Sequence, residues 1–514
     1  MNKRSKFKSE NSKASSPQQD DSFTIEIGTN LDKNLTSLKT MLGEPTDLII
    51  REITIGPNQE KIAMIYMSGM TDNQLVHNNI LKTVLSSQPQ ADADLLDYFY
   101  QEIIAIADIT KTNSLDDVSY AILSGDTAIY VDGTNTVLLM GTAGGEDRAV
   151  EEPQSERLIR GPRAGFIENI GTNLSLIRQD IKDPNLRFKT HEIGRRSKQK
   201  LVVSYIEGII HPDLVDEINR RLASIDTDYA VSSGEVEQWI QDSFLSPFPQ
   251  LVDTERPDRA VEALLKGKVV ILVDGTPFVL ITPVTLTETF HSLEDDNQRW
   301  IVGTSLRFLR YLSAFIAIFL PSLYIAIVSY HPEMLPAKLV FSIAAAREGV
   351  PFPAFVEALM MAITFEILHE AGVRLPKIIG ATIGIVGGLV IGESAVSAGI
   401  VSPIMVIITA LTAIASFTAP HYSMAISLRL LRFTFMIAAA FLGLYGIILV
   451  YIMVNIHIVN LKSVGIPYSV PFAPVIGKDW KDMIIRAPLM MLMKRPAYLN
   501  TKDDTAAKKR RQSK

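Results

Sequence analysis

The sequence predicts an α/β region of two subdomains followed by a polytopic α-helical membrane domain. Three observations lead there. Up to about residue 305 the chain is charged and mixes alternating with helix-spaced apolar runs, as half-buried strands and amphipathic helices do. Residues 308–458 are instead dominated by Ile, Leu, Ala, Val, Phe and Gly, and 311–330 carries no charged residue. About 20 apolar residues cross a ~30 Å hydrocarbon core. Finally, "AILSGDTAIYVDGTNTVLL" (121–139) aligns without gaps to "ALLKGKVVILVDGTPFVLI" (263–281). The formal net charge of −6 averages over two unlike halves and excludes nothing. The absence of Cys excludes disulfides and thiolate metal sites.

Residues 1–23 form a polar, Ser- and Lys-rich stretch with no apolar core. They read as a disordered tail rather than a signal peptide. Subdomain 1 is expected over 24–155. "EKIAMIYMSGM" (60–70) has strand character and "DLLDYFYQEIIAIA" (94–107) has helical spacing. Asp132-Gly133 between two apolar runs signals a hairpin. Subdomain 2 is expected over 156–305. There "RGPRAGFIENIGTNLSLIRQDI" (160–181) is a linker feeding a helix, and Leu214, Ile218 and Leu222 mark an amphipathic helix. "SPFPQLVDTERPDRAVEAL" (246–264) is a Pro-punctuated loop opening another helix. The paired hairpins, with Asp132/Asp274 and Gly133/Gly275 in register, admit a divergent duplication or a chance recurrence of one turn.

The membrane domain is expected over 306–460. Full spans are placed near 311–330, 377–397, 404–419 and 433–456. Pro321 is expected to kink the first. Glu357, Glu366 and Glu370 interrupt 354–371, which reads as an interfacial or buried helix. Arg299, Arg307 and Arg310 precede the first span, so the positive-inside rule keeps residues 1–310 in the cytoplasm. Four spans return the segment 461–514, with its basic "KKRR" end, to the same side. That count sends Arg429 and Arg432 to the other side, against the rule.

Gly380, Gly384, Gly388 and Gly392 recur every fourth residue and form a small-residue ridge suited to close helix packing. Turned away from it are Thr382, Val386, Leu389, Glu393 and Val396. This face suits a pore in a ring of subunits, where a ring of carboxylates favours cations. Glu393, near its helix end, equally suits a salt bridge at the membrane edge. Glu370 and Arg374 stand at i,i+4 and are expected to pair. No second His follows His369 and Glu370 at zinc spacing, no phosphate-cradling loop is present, and "TERPDR" (254–259) suits a helix cap and a domain contact. Catalytic residues, metals and cofactors are therefore not expected.

"FEILHEAGVRLP", "IGIVGGLVIGESAVSAGIVSP", "IASFTAP", "RGPRAGFIENIGTNLSLIR", "HPDLVDEINRRL" and "SPFPQLVDTERPD" together resemble the A subunits of GerA-type spore germinant receptors, over roughly residues 40–495. His369 stands where that family usually has Arg, Glu393-Ser394 replaces a Gln-Ala type pair, and "LEDDN" (293–297) lacks an aromatic pair. Glu370, Gly372, Arg374 and Pro376 fall in the family motif. The resemblance implies a spore inner-membrane protein acting with B and C subunits in nutrient-triggered germination. It also implies a homo-oligomer, a pentamer, around an ion-conducting path, with the nutrient bound by the B subunit. No nucleic acid is implied. A non-conducting scaffold and a secondary transporter component remain as alternatives.

Overall fold

The computed structural model describes residues 26–507 apart from 57–58, 88–93, 105, 107, 145–151, 159, 231, 375–387 and 389. The two tails, the candidate pore residues Thr382, Val386 and Leu389, and Gly380, Gly384 and Pro376 lie outside the described residues. So does most of the expected span 377–397. The chain forms two compact units, 1–145 and 146–514. The second holds an α/β lobe, the apolar helices and the C-terminal segment together.

Unit 1 is built on an antiparallel sheet of β1 (Leu48–Ile55), β2 (Glu60–Met67), β3 (Ile109–Thr112), β4 (Thr127–Val131) and β5 (Val137–Met140), in the order β1-β2-β4-β5-β3. Every residue of β4 is buried because both sheet faces are covered. Ala128 and Tyr130 pack with α1 (Leu31–Leu42) and α2 (Leu115–Leu123), while Ile129 and Val131 pack with Val76, Ile80, Leu95 and Phe99. Side chains alternate across a strand, so an apolar run with no polar partner marks a sheet between two helical layers.

The lobe of unit 2 repeats this plan. Its strands are β6 (Leu186–Ile193), β7 (Gln199–Ile206), β8 (Val252–Thr254), β9 (Val269–Val273) and β10 (Val279–Thr282), in the order β6-β7-β9-β10-β8. Helices α3 (Ile170–Asp180) and α6 (Pro257–Lys266) cover one face. Helices α4 (Pro212–Ala223) and α5 (Ser233–Ile240) cover the other.

The likeness extends to single bonds. Asp132 accepts from the Leu31 N–H at 3.1 Å, and Asp274 from the Ile170 N–H at 3.2 Å. Gly133 N–H donates to the Thr29 carbonyl and Gly275 N–H to that of Glu168. Asn34 exchanges two hydrogen bonds with the Gly28 backbone, and Asn173 two with that of Ile167. A chance turn does not reproduce a strand order and a buried amide bracket, so duplication accounts for the pair. The Asp-Gly motif thus does more than turn the chain: its Gly adopts positive φ while its Asp ties the first helix's N-terminus to the hairpin. Asp274→Ala is expected to cost about 1 kcal/mol, the usual worth of a carboxylate on free helix N–H groups. An unchanged unfolding temperature of the full chain would exclude that role.

The helical half begins with α7 (Trp300–Tyr330), one continuous helix that includes Pro321. It continues with α8 (Ala337–Arg347), α9 (Ala354–Arg374), a helical stretch over 390–397, α10 (Pro403–Ser416) and α11 (Tyr422–Asn460). α7 and α11 have the length and composition of membrane-crossing helices.

The long α11 is two arms folded back at Gly443, whose φ of 58° and ψ of −139° are non-helical. The Phe319 ring packs on Phe435 at 4.8 Å and on Tyr451 at 6.1 Å between centroids. Ser427 donates to the Pro247 carbonyl, and His457 pairs with Ser246 at 2.8 Å. A straight helix would separate Ser427 from His457 by about 45 Å. The two arms therefore run antiparallel beside α7, with Tyr330 against the turn.

In two places the helices differ in geometry from the spans expected of the sequence. The segment 433–456 is not one straight helix, because the chain reverses at Gly443. Arg429 and Arg432 accordingly lie toward the lobe end of the bundle, not at the opposite end. The segment 404–419 forms only a 14-residue helix, ended by a turn before Pro420. At about 21 Å it is shorter than a ~30 Å hydrocarbon core.

Beyond α11 the chain wraps back over the lobe. Ser463 donates to the Gln250 carbonyl at 2.5 Å and accepts from the Val284 N–H at 3.0 Å, and the Lys502 N–H donates to the Ile209 carbonyl.

Candidate functional site

No catalytic constellation is assembled among the described residues, and no group of His, Asp and Glu there is placed to hold a metal ion. The chemistry concentrated in unit 2 is charge pairing, in two places: between the lobe and the helices, and within the helical bundle.

At the lobe junction, Asp295 is fully buried and caps its own short helix through Ser292. Its carboxylate accepts from Arg310 at 2.6 and 2.9 Å and from Arg307 at 3.2 Å. The neighbouring Asp296 pairs with Arg486 at 2.6 Å. Lys268 pairs with Glu288 at 2.7 Å, and Tyr498 donates to the same carboxylate at 2.9 Å. Arg259 bonds Glu156 at 2.7 Å and also donates to His421, the residue that opens α11. "TERPDR" provides the contact but no side-chain cap: Arg256, at the N-cap position of α6, makes no capping bond and is buried against Asp258 and the carbonyls of Glu156 and Pro162, while Arg259 reaches the helices.

A cavity of about 70 Å³ lies among Lys266, Lys268, Glu288, His291, Asp296 and Arg307. Burial, followed by the nearby Arg307 cation, holds the His291 imidazole well below its usual range. Burial pushes Asp296 up to about 6, with the Glu262 carboxylate adding to the effect.

His291 donates to the Met483 carbonyl at 2.7 Å as a neutral ring. Because its folded value is depressed, the unfolded chain binds the extra proton first as the pH falls. His291 therefore costs nothing above pH ~6.5 and destabilises progressively below it. The unfolding temperature of the wild type is expected to drop relative to His291→Gln as the pH falls from 7 to 5. A constant difference across that range would exclude the assignment.

Within the bundle, α9 supplies the acids. Glu357 is fully enclosed and accepts from Arg347 at 2.9 Å and from the Ser402 N–H and Oγ at 3.0 and 2.9 Å. Glu366 accepts from Arg429 at 3.2 Å and Arg432 at 2.7 Å. The helix expected at 354–371 as interfacial or buried is thus laced into the bundle at two levels. Ser402, Arg429 and Arg432 lie 45 to 66 residues away and Arg347 is on a separate helix, so spacing along one helix does not reveal them. Glu370 and Arg374 form the i,i+4 pair, at 2.6 Å and exposed. Gly372 has no neighbour against a Cβ position.

Of the glycine ridge, Gly392 is buried with its Cβ position 3.5 Å from Val406, and Gly388 faces Leu368 at 3.9 Å. Glu393 is exposed, and Val396 is half-buried against the bundle core.

Such a junction is suited to transmitting position. Each buried pair strongly resists the removal of one partner, so packed elements joined this way move together or exchange between discrete pairings.

Over residues 36–498 the chain matches the family described as Bacillus/Clostridium GerA spore germination protein. It is 49% identical over 487 residues to spore germination protein GerLA of Bacillus cereus, covering 95% of this chain and 99% of the relative. It is 42% identical over 487 residues to spore germination protein KA of Bacillus subtilis (strain 168), covering 95% and 90%. Among solved structures it is similar to the N-terminal domain of the A subunit of the Bacillus megaterium spore germinant receptor GerK3. That likeness has 35% identity, covers 50% of this chain and 96% of that one, and has a TM-score of 0.42.

Proposed function

The chain belongs to the GerA spore germination protein family, and from that premise we propose that it is the ion-conducting A subunit of a nutrient-responsive germinant receptor. Copies of the chain assemble as a ring, a pentamer, in the spore inner membrane. Nutrient binding to a partner B subunit, with the C subunit present, opens a cation path that triggers germination. The α/β units and the C-terminal segment face the spore core. The hairpin at Gly443 supports that orientation, because it keeps Arg429 and Arg432 at the lobe end, as the positive-inside rule requires.

The observation that carries the proposal is Glu393. It is exposed in the isolated chain, on a helical stretch whose Gly392 is packed inward. A carboxylate turned outward from an apolar bundle is costly against lipid. A ring of copies around a water-filled path gives it water and neighbouring acids, the arrangement that selects cations. Thr382, Val386, Leu389 and Val396 are assigned to the same path.

The cysteine-free sequence makes the test direct. Single Cys residues are introduced at Val386, Leu389, Glu393 and Val396, with Gly384, from the glycine ridge expected of the sequence, as the control. Current or potassium release is measured before and after a charged thiol reagent. Modification is expected to change flux at the first four positions and not at Gly384. Confirmed labelling without effect at any position would remove the pore assignment and favour a non-conducting scaffold.

A further inference from the structure

We propose that the loop 243–250 of the α/β lobe is a membrane anchor that inserts Phe244 and Leu245 into the lipid on the core-facing side. The proposal rests on the reading that α7 and α11 cross the bilayer.

Depth is the first argument. The turn at Gly443 and the end of α7 at Tyr330 meet at one end of the bundle, beside the polar His331 and Glu333. With a hydrocarbon core of ~30 Å and a rise of ~1.5 Å per residue, the opposite boundary falls about twenty residues away. Counted from Gly443 that boundary lies near Ser423 on the first arm and just beyond Asn460, the end of the second. Counted from Tyr330 it lies near Arg310. The charged junction sits at that level: Arg310 meets Asp295, and His421 meets Arg259. The loop reaches further. Pro247 and Ser246 are bonded to Ser427 and His457, which lie about 6 Å inside the boundary.

Construction of the loop is the second argument. The Gln250 amide closes its base, accepting from the Ser243 N–H at 2.9 Å and donating to the Ser243 carbonyl at 2.6 Å. Asp242, just before the base, pairs with Arg221 at 2.9 Å and accepts from the Val464 N–H at 2.5 Å. Phe248 turns inward, stacked on His457 at 6.1 Å between ring centroids. Both ends and one wall are thus fixed. The two residues between, Phe244 and Leu245, are each 82% exposed, more than any other large apolar side chain among the described residues. A pinned loop that holds two apolar side chains at that depth has the acyl region as its surroundings. Burying them takes two large apolar side chains out of water, which favours insertion in proportion to the area removed. Insertion by 5–10 Å is the depth typical of interfacial anchors.

The experiment uses the full chain reconstituted in vesicles, with one cysteine carrying an environment-sensitive fluorophore at Phe244, Ile448 or Lys189. Ile448 lies on the second arm of the hairpin, and Lys189 on the exposed edge strand β6. Nitroxide-labelled lipid and aqueous iodide serve as quenchers. The dye at Phe244 is expected to be blue-shifted, to lose most of its emission to a shallow nitroxide lipid, and to be protected from iodide. The Lys189 dye is expected to behave oppositely. If Ile448 is quenched by lipid while Phe244 is quenched by iodide, the anchor is wrong and the spanning reading survives. If Phe244 is protected from both quenchers, another copy of the chain covers it and the lipid assignment is overturned. If Ile448 escapes the lipid quencher, the spanning reading falls and the anchor with it.

Discussion

Gly443→Ala is expected to lower the unfolding temperature of the detergent-solubilised chain by several degrees, and Gly443→Val by more. The conformation at Gly443, with φ 58° and ψ −139°, is one that a residue bearing Cβ occupies at a cost of about 1–3 kcal/mol. Space adds to the cost. A Cβ at this position would stand 3.1 and 3.2 Å from Cγ and Cβ of Tyr330 and 3.3 Å from the His331 ring. Tyr330 is not free to retreat, since its hydroxyl donates to the Ala440 carbonyl across the same turn. Gly446→Ala is expected to be at least as damaging, because the added carbon would run into the Ala438 carbonyl, which is backbone. Gly349→Ala is the control: it has open space and no left-handed conformation. Equal melting of Gly443→Ala and Gly349→Ala would mean that α11 does not fold back there.

That fold-back also shows where sequence and structure part. The α/β lobes were legible because their signals are local. An Asp-Gly turn, a continuous apolar strand and an amphipathic helix are each written within a dozen residues, and the second copy confirmed the first. The helical half is written in one alphabet of Leu, Ile, Ala, Val and Gly. A hydropathy window sees α11 as a single apolar run, because a glycine that reverses the chain reads like a glycine that packs. The charge conflict at Arg429 and Arg432 has its origin in the same turn: the fold-back places both residues toward the lobe end of the bundle. The pairing partners were illegible for a related reason. Glu366 meets Arg432 and Glu357 meets Ser402 across different helices, and spacing along one helix carries no information about its neighbour. The acidic "LEDDN" holds the aspartate to which two arginines of α7 are bound.

Glu357→Ala is expected to cost about 3–5 kcal/mol, the range for removing one partner of a buried ion pair. The carboxylate at Glu357 is fully enclosed and makes three bonds, to Arg347, to the Ser402 N–H and to the Ser402 hydroxyl. Truncation leaves the Arg347 guanidinium without its carboxylate and the Ser402 N–H at the start of α10 without its acceptor. Most of the loss is the expense of those stranded partners rather than the worth of the pair itself. Two further variants separate the terms. Glu357→Gln keeps an acceptor for Ser402 but not the charge for Arg347, and is expected to fall between wild type and alanine. Glu357→Leu combined with Arg347→Leu removes both charges and is expected to recover much of the stability lost by Glu357→Leu alone. Thermal unfolding of the wild type, Glu357→Leu, Arg347→Leu and the double variant closes the cycle. If the double variant were no more stable than Glu357→Leu, Arg347 would not be the partner that matters. The carboxylate would then act through Ser402, fixing where α10 begins rather than balancing a charge.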